Sequence, residues 1–256
     1  MHVREVTPET SGFLDDGARP EYGLLVDPSI GHSFVYWARR PVPANNFGQY
    51  LDREKFDLAE DFYRTHDAAR AVEALDRLAT RYVVTFIQGF SPPMPFVQQL
   101  HREDGPGRHA EPCGPCLRLV TEGPPYGSPR RGFRPRGGAV PYKLFERVEG
   151  ARIEVRAEPD ALVRLELDLE TPLGRRFVFA MRGRAEPDGT ATLRVPYSTG
   201  ATLPVHSVGP YRVEVDGRLH RVEVSERAVL EGATIDADAT VDGGMGPPAS
   251  REPRPR

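Results

Sequence analysis

The sequence predicts an α+β fold, in which a small mixed α/β layer is followed by an antiparallel β-sandwich or β-barrel domain. Three observations lead to this prediction. Helix and strand patterns alternate up to about residue 100, a Pro- and Gly-rich stretch follows, and seven short strand patterns then succeed one another. The predicted units are residues 1–100 (mixed α/β domain), 101–141 (loop region), 142–232 (β domain) and 233–256 (disordered tail).

The mixed layer is predicted from four segments. "YGLLV" at residues 22–26 is an apolar run typical of a buried strand, and "GHSFVYWARR" at 31–40 has helical spacing and precedes a proline. "THDAARAVEALDRLAT" at 65–80 is the clearest helix, with Thr65 as its expected N-cap. "RYVVTFI" at 81–87 is β-branched and aromatic, which favours a second buried strand. This order predicts a partly parallel sheet.

The β domain is predicted from alternation with a period of two. In "LVRLELDLE" the leucines fall on one face of the strand and the acidic residues on the other. Asp188-Gly189 and Asp216-Gly217 stand where hairpin turns are needed. The seven strand patterns are "YKLFERV", "ARIEVRA", "LVRLELDLE", "RRFVFAMRG", "TATLRV", "YRVEV" and "LHRVEV". One further strand pattern, "LRLVT", lies in the loop region, and "SERAVLEG" predicts a capped helical turn near the end.

The last segment, from Ala233 onward, is predicted to be disordered. It contains no aromatic residue, and Ile235 is its one large aliphatic residue besides valine and methionine. Such a segment cannot bury enough apolar surface to offset the conformational entropy of ordering it.

Charge and hydropathy exclude several functional classes. The formal net charge is -3, and both signs are interspersed, so we expect neither nucleic acid nor an anionic lipid surface as a partner. No apolar run approaches the roughly 20 residues of a membrane-spanning helix. The first residues, "MHVREVTPETSG", do not have the apolar core of a signal peptide.

The two cysteines lie close together in "CGPC". We expect Cys113 and Cys116 to form a disulfide if the domain lies outside the cytoplasm, and we expect no metal site. Unlinked thiols are the next alternative. His101 and His109 precede the cysteines with a spacing that also suits tetrahedral zinc, and the tetrapeptide itself is that of thioredoxin-like redox sites.

Several segments together resemble a known family. They include "TPETSGFLDDGARPEYGLLVDPSIGHSFVYWARRPVPANNFG", "DFYRTHDAARAVEALDRLATRYVV", "YKLFERVEGARIEV", "DGTATLRVPYSTG" and "GPYRVEV". In this order they resemble the soluble C-terminal region of oligosaccharyltransferase catalytic subunits, most of all those of the archaeal type. The resemblance covers about residues 3–235. It implies a role in protein N-glycosylation, the transfer of a lipid-linked glycan to asparagine.

The resemblance also implies a substrate site with a departure from the family pattern. The family carries Trp-Trp-Asp-Tyr-Gly at a turn, where the indoles and the carboxylate hold the hydroxyl of the acceptor Ser or Thr. Here Ser29 occupies the Asp position, while Gly31 and His32 match the family. Asp27 comes two residues early, and we expect it to point elsewhere if Ser29 begins a helix. The expected substrate-binding residues of this degenerate pocket are therefore Ser29, Gly31 and His32.

The resemblance implies that catalysis requires a part of the enzyme outside this sequence. In the family, acidic residues of membrane loops hold a divalent cation, so we expect no catalytic residue and no cofactor in this chain. The implied partner is a membrane-embedded glycosyltransferase domain, in the same longer chain or in another, together with an acceptor polypeptide. We expect an extracytoplasmic location if the chain is part of a longer one, and a cytoplasmic location if it is complete. Alternatives are a free-standing protein- or glycan-binding β module and a zinc-stabilised structural domain.

Overall fold

The computed structural model describes residues 3–11, 18–87, 93–105, 116–124 and 140–238. The helices are α1 (Val3–Val6), α2 (Gly31–Ala38), α3 (Gly48–Leu51), α4 (Arg53–Arg64), α5 (Ala68–Arg77), α6 (Phe96–Glu103) and α7 (Glu226–Glu231). The strands are β1 (Gly23–Leu25), β2 (Thr80–Phe86), β3 (Leu117–Glu122), β4 (Tyr142–Arg147), β5 (Ala151–Arg156), β6 (Leu162–Glu170), β7 (Arg176–Arg184), β8 (Thr190–Val195), β9 (His206–Ser207), β10 (Tyr211–Val215), β11 (Arg218–Val222) and β12 (Thr234–Asp236). The α+β fold class is confirmed.

The N-terminal sheet has four strands in the order β1-β2-β4-β3. Strand β1 pairs with β2 in parallel, as predicted, and the other two pairs are antiparallel. Alternate residues of the buried strands face opposite sides, so Leu25 and Val83 pack in one hydrophobic cluster and Leu24 and Val84 in another. The first cluster includes residues of α4, α5 and α6, and the second includes residues of α1 and α2.

The third and fourth strands of this sheet correct the predicted sheet membership. The sequence predicts "LRLVT" in a loop region and "YKLFERV" in the β domain, whereas β3 and β4 complete the N-terminal sheet. Strand β4 is buried on both faces, with Leu144 in one cluster and Phe145 in the other. A strand of this kind belongs in the middle of a sheet covered on both sides. The division of the chain into domains remains a prediction.

The β-rich region consists of two open sheets that share one core. One sheet has the order β11-β10-β6-β7, with β9 paired to β6, and the other has the order β12-β5-β8. All seven predicted strands form. The leucines Leu165, Leu167 and Leu169 of β6 are fully buried and lie in one cluster with Ile153 and Leu193 of the second sheet. Because neither sheet closes on itself, the arrangement is a sandwich and the predicted barrel alternative is wrong.

The two predicted hairpin turns have different outcomes. Asp216 and Gly217 both adopt positive φ angles, 48° and 73°, and join the paired strands β10 and β11 as a hairpin. Asp188 and Gly189 instead connect β7 to β8, which belong to different sheets. Here the turn carries the chain from one sheet of the sandwich to the other, so the hairpin prediction at this point is wrong.

Of the two predicted helix caps, the one at α7 is correct and the one at α5 is not. Ser225 caps α7 as predicted, since its hydroxyl accepts a hydrogen bond from the Ala228 amide at 3.1 Å. The N-cap of α5 is Asp67, not Thr65, because the Asp67 carboxylate accepts from the Ala69 amide at 2.8 Å. The Thr65 hydroxyl supports this turn indirectly by accepting from the Asp67 amide.

The start of the predicted disordered tail is corrected. Residues 234–236 form β12, which pairs in parallel with β5 on the side away from β8. The Ala237 amide donates to the Glu154 carbonyl at 2.8 Å, and Ala237 is fully buried. Without β12, β5 would be an edge strand with unpaired backbone groups, and pairing with these groups orders a segment whose side chains alone bury little. Residues 239–256 lie outside the described part of the chain.

The helices of the described residues are short, α4 being the longest with 12 residues. None of them combines the length and the apolar character required to cross a membrane.

Candidate functional site

The sharp turn between β1 and α2 is built around Asp27. A 3-10 helix, Pro28–Ile30, follows Asp27 and leads directly into α2. The Asp27 carboxylate accepts from the Ser29 amide at 2.9 Å, and the Ser29 hydroxyl donates to the same oxygen. Because Asp27 caps the 3-10 helix, its carboxylate lies at the turn itself.

Gly31 has a packing role at this turn. It is buried, and a Cβ at this position would lie 2.7 Å from the Ala44 carbonyl oxygen and 3.0 Å from the Asn45 Cα. The first turn of α2 thus lies directly against residues 44–45, and this approach requires glycine. The Asn45 side chain in turn accepts from the Phe47 amide at 2.9 Å, which fixes the loop against which Gly31 packs.

The other two predicted site residues lie on the surface. Ser29 and His32 are both exposed, and the His32 Nε2 is 3.4 Å from the Ser33 hydroxyl. A carboxylate, a hydroxyl and an imidazole thus lie within six residues of the turn, where a ligand could donate to or accept from them. The single tryptophan, Trp37, lies further along α2 and 76% of it is exposed.

Arg40 anchors the end of α2 and was not among the predicted site residues. Only 4% of it is exposed, and its guanidinium donates to the Thr7 carbonyl at 2.8 Å and to the Arg4 carbonyl at 3.1 Å. It also donates to the Thr7 hydroxyl at 3.0 Å. These bonds tie α1 to the loop that follows α2. The sequence signal for such a role is weak, since arginine at a helix end usually satisfies carbonyls of its own helix.

The predicted disulfide cannot be followed, because Cys113 lies outside the described residues. Cys116 is buried in the hydrophobic core, beside the backbone of Gly150. His101, the first member of the alternative zinc set, uses both ring nitrogens: Nδ1 is 2.7 Å from the Thr85 hydroxyl, and Nε2 is 2.9 Å from the Val140 carbonyl. His109 also lies outside the described part. Within that part, no three His, Cys, Asp or Glu side chains converge as metal ligands do.

The surroundings of His101 determine its charge. Nε2 must carry the proton, because the Val140 carbonyl can only accept, and Nδ1 then accepts from the Thr85 hydroxyl. Burial lowers the pKa of His101 to about 4, and the positive charge of Lys143 acts in the same direction. His101 is therefore a neutral structural residue of the core.

A buried charge network surrounds this histidine. Lys143 donates to Asp104 at 2.6 Å, and Arg175 bridges Asp104 at 2.8 Å and Glu122 at 2.5 Å. Two positive charges thus balance two negative ones. Burial acts to raise the pKa of Asp104, but the bonds from Arg175 and Lys143 outweigh it, so the pKa lies below its ordinary value. Arg175 lies between β6 and β7, so the network joins the N-terminal sheet to the sandwich.

A second network joins the same two layers at another point. Arg118 of β3 donates to Glu146 at 2.6 Å and to Glu226 of α7 at 2.7 Å, and Arg81 donates to Glu146 at 2.7 Å. The Arg118 and Glu146 side chains are almost fully buried. The Tyr197 hydroxyl adds a neutral contact, because it accepts from a backbone amide of β3 at 2.8 Å. The layer that carries the turn is therefore fixed to the sandwich by charged and neutral contacts.

The same fold occurs in archaeal oligosaccharyltransferases. AglB of Archaeoglobus fulgidus, solved in complex with an inhibitory peptide and a dolichol-phosphate, has a TM-score of 0.69 and 18% identity to this chain. The match covers 91% of this chain and 41% of that one. Two crystal structures of an oligosaccharyltransferase from the same organism extend the comparison.

The first of these, a complex with Zn and sulfate, has a TM-score of 0.68 and 16% identity, and the match covers 91% of this chain and 45% of that one. The second is tethered to an acceptor peptide that contains the NVT sequon. Its TM-score is 0.65 at 17% identity, over 84% of this chain and 38% of that one. The chain thus spans less than half the length of these proteins.

A sequence match to a known family lies in the second half of the chain. Residues 150–235 match the family described as "Archaeal glycosylation protein B long peripheral domain". This range contains β5 to β11 and α7. No curated protein matches the chain in sequence. The resemblance to the C-terminal region of archaeal-type oligosaccharyltransferases, drawn above from the residues, is confirmed by the family match and by the fold.

Proposed function

We propose that this chain is the acceptor-side domain of an oligosaccharyltransferase-like glycosyltransferase that acts in protein N-glycosylation. One observation carries the proposal: nine-tenths of the chain follows the fold of an archaeal oligosaccharyltransferase that was solved with an inhibitory peptide. The matching family description of residues 150–235 supports it independently, because that description names a peripheral domain of a glycosylation protein.

In this proposal the β1–α2 turn is the degenerate acceptor site. Ser29 and His32 offer a hydroxyl and an imidazole to solvent, and Gly31 allows the turn to pack against the loop beneath it. The nearby carboxylate of Asp27 already accepts two hydrogen bonds from Ser29. A ligand hydroxyl would therefore meet neutral groups and a partly satisfied carboxylate. The site is suited to weak positioning of an acceptor polypeptide.

The transfer step belongs, in this proposal, to a membrane-embedded glycosyltransferase domain. That domain is either another part of a longer chain or a separate partner, and it would hold the divalent cation and the lipid-linked glycan. This chain would then lie on the extracytoplasmic face of the membrane, where the acceptor polypeptide is presented. Its own contribution is to help to orient an acceptor that the transferase domain also holds, because a fixed orientation removes much of the entropic cost of reaction.

The proposal is tested by site-specific photo-crosslinking in the organism that makes the protein. A photoreactive residue at Ser29 reports on the turn, and one at Val178 of β7, which is also exposed, is the matched control. We expect the protein in the membrane fraction, with crosslinks from position 29, but not from 178, to a multi-span glycosyltransferase segment or to secreted polypeptides.

Two results would count against this assignment. If the protein were found only in the soluble fraction without such crosslinks, the alternative of a free-standing protein- or glycan-binding module would be correct. If both positions crosslinked equally to the same partners, the turn would have no special place in the acceptor site.

A further inference from the structure

A groove with a volume of about 490 Å³ lies between α1, α2 and the first residue of β4. Its volume falls in the range of roughly 300–1,000 Å³ that is usual for small-molecule sites. The floor is formed by Val3 and Ala38, which are almost fully buried. The groove begins one residue beyond His32 along α2, so it is adjacent to the turn but is formed by other side chains.

The walls of the groove are aromatic. Trp37 and Tyr142 both line it, and they remain 76% and 37% exposed. The Trp37 ring makes an edge-on contact with the neighbouring Tyr36, with the ring centres 4.9 Å apart and the planes at 86°. An exposed indole presents a flat, electron-rich face to a ligand. Such a face attracts the slightly positive C–H groups of a saturated ring.

Polar side chains lie among these apolar walls. Arg4, Glu5 and Ser33 line the same groove, and all three have exposed or half-buried side chains. A guanidinium donates several hydrogen bonds, a carboxylate accepts them, and a hydroxyl does both. The two formal charges are opposite, so the groove has no net preference for an anion or a cation. Its chemistry selects a neutral ligand that has one apolar face and several hydroxyl groups.

We propose that this groove binds a neutral saccharide, with the ring face against Trp37 and the hydroxyl groups on Arg4, Glu5 and Ser33. A lipid chain has neither donors nor acceptors to offer to these polar side chains, and covering polar groups with hydrocarbon is costly. A nucleic acid or a phosphate would be repelled by the negative charge of Glu5, which lines the groove together with Arg4. The inference does not depend on the proposed function, because a saccharide site suits an oligosaccharyltransferase domain and a free-standing glycan-binding module equally.

The single tryptophan makes the test specific, because indole emission reports only on Trp37. Glucose, mannose, N-acetylglucosamine and their disaccharides are titrated into the full chain. We expect a saturable change in Trp37 emission with at least one of them, with half-saturation in the millimolar range. Phosphatidylcholine vesicles and inorganic phosphate are the comparison probes, and we expect neither to change the emission.

Variants distinguish binding in the groove from nonspecific binding elsewhere on the surface. Ser33→Ala should weaken binding at least threefold. Trp37→Ala, followed by calorimetry because it removes the fluorophore, should abolish binding, and Trp37→Phe should restore part of it. Tyr50→Ala is the matched control, because Tyr50 is 80% exposed on α3 and does not line the groove; it should leave binding unchanged.

Four outcomes would overturn the proposal. The first is no response to any saccharide at concentrations of several hundred millimolar. The second is an equal loss of binding in Tyr50→Ala and Ser33→Ala, which would indicate nonspecific contact. The third is a response to vesicles but not to saccharides, which would mark the surface as a lipid contact. The last is a response to phosphate alone.

Discussion

At the scale of single residues, the turn before α2 combines a glycine that backbone packing requires with polar side chains that packing does not constrain. Gly31 remains because a Cβ would collide with the backbone of residues 44–45, whichever ligand is bound. The carboxylate at the turn is that of Asp27, which caps a 3-10 helix and accepts from Ser29. Backbone packing therefore constrains the glycine, whereas Ser29 and His32 are exposed and free of this constraint.

The first prediction concerns acceptor binding at this turn. The Ser29 hydroxyl is neutral, and hydrogen bonds between neutral groups contribute about 1 kcal/mol against ~1.5–3 kcal/mol for those to a charged group. A loss of ~1.4 kcal/mol lowers affinity tenfold. Without the family's indoles as well, an Asn-Ala-Thr peptide should not bind measurably to the isolated chain at millimolar concentration. An NMR titration against Asn-Ala-Ala measures this directly.

A clearly stronger effect of the threonine peptide, abolished in Ser29→Ala, would contradict this prediction. It would mean that the turn still recognises the acceptor hydroxyl in an altered form.

The second prediction concerns the pH dependence of stability through His101. Its folded pKa of about 4 lies below the ordinary 6.5, so the unfolded chain binds the proton more tightly. Stability is therefore fully present above about pH 6.5 and is lost as the pH falls toward 4, by about 3 kcal/mol in total. Urea unfolding between pH 4 and 7.5 should show this slope, and His101→Gln should reduce it.

His206→Gln is the control, because His206 is exposed on β9. If His101→Gln does not fold, NMR titration of the His101 ring in the unaltered chain gives the pKa directly. A ring that titrates near 6.5, or an unchanged slope in the variant, would show that His101 is not the buried neutral residue described here.

At the scale of secondary-structure elements, local patterns predict the elements better than their partners. Every strand expected from period-two alternation forms, because alternation reflects which faces are buried. The sheet to which β4 belongs depends instead on a distant pairing with β2, which leaves no local signal. Likewise, Asp188-Gly189 has the residues of a hairpin turn, but its flanking strands pair elsewhere.

The third prediction concerns β12, which composition alone assigns to a disordered tail. Two chains are compared, one ending after Asp238 and one ending after Gly232. The shorter chain loses the pairing with β5 and the buried Ala237, so it should be less stable by about 1–3 kcal/mol, since each hydrogen bond contributes about 1 kcal/mol. Urea unfolding measures the difference. Equal stability of the two chains would show that β12 adds nothing to the fold.

At the scale of the whole molecule, two balanced charge networks connect the N-terminal sheet to the sandwich. Sequence reasoning did not identify them, because their members lie far apart in the chain; Arg118 and Glu226 are 108 residues apart. Buried ion pairs of this kind stabilise a unique arrangement only while both partners are present. These arginines therefore help to fix the orientation of the turn relative to residues 150–235, together with the Tyr197 contact and the hydrophobic cluster that both layers share.

The fourth prediction tests this coupling. Arg118→Met leaves Glu146 and Glu226 without their shared cation and should destabilise the chain by about 3–5 kcal/mol. Arg212→Met is the matched control, because Arg212 also pairs with two carboxylates but is partly exposed, and its loss should cost less than about 1 kcal/mol. Urea unfolding compares both variants with the unaltered chain. Similar effects of the two substitutions would contradict the role given to the Arg118 network.

The most direct test of the central claim is the amount of N-glycosylated peptide in the organism that makes this protein. The coding region of this chain is deleted, and secreted and membrane proteins are analysed by mass spectrometry for glycosylated asparagine. The account predicts a large loss of glycosylated peptides, recovered by returning the unaltered gene and only partly by the Arg118→Met form. Unchanged glycosylation after the deletion would contradict a role in oligosaccharide transfer.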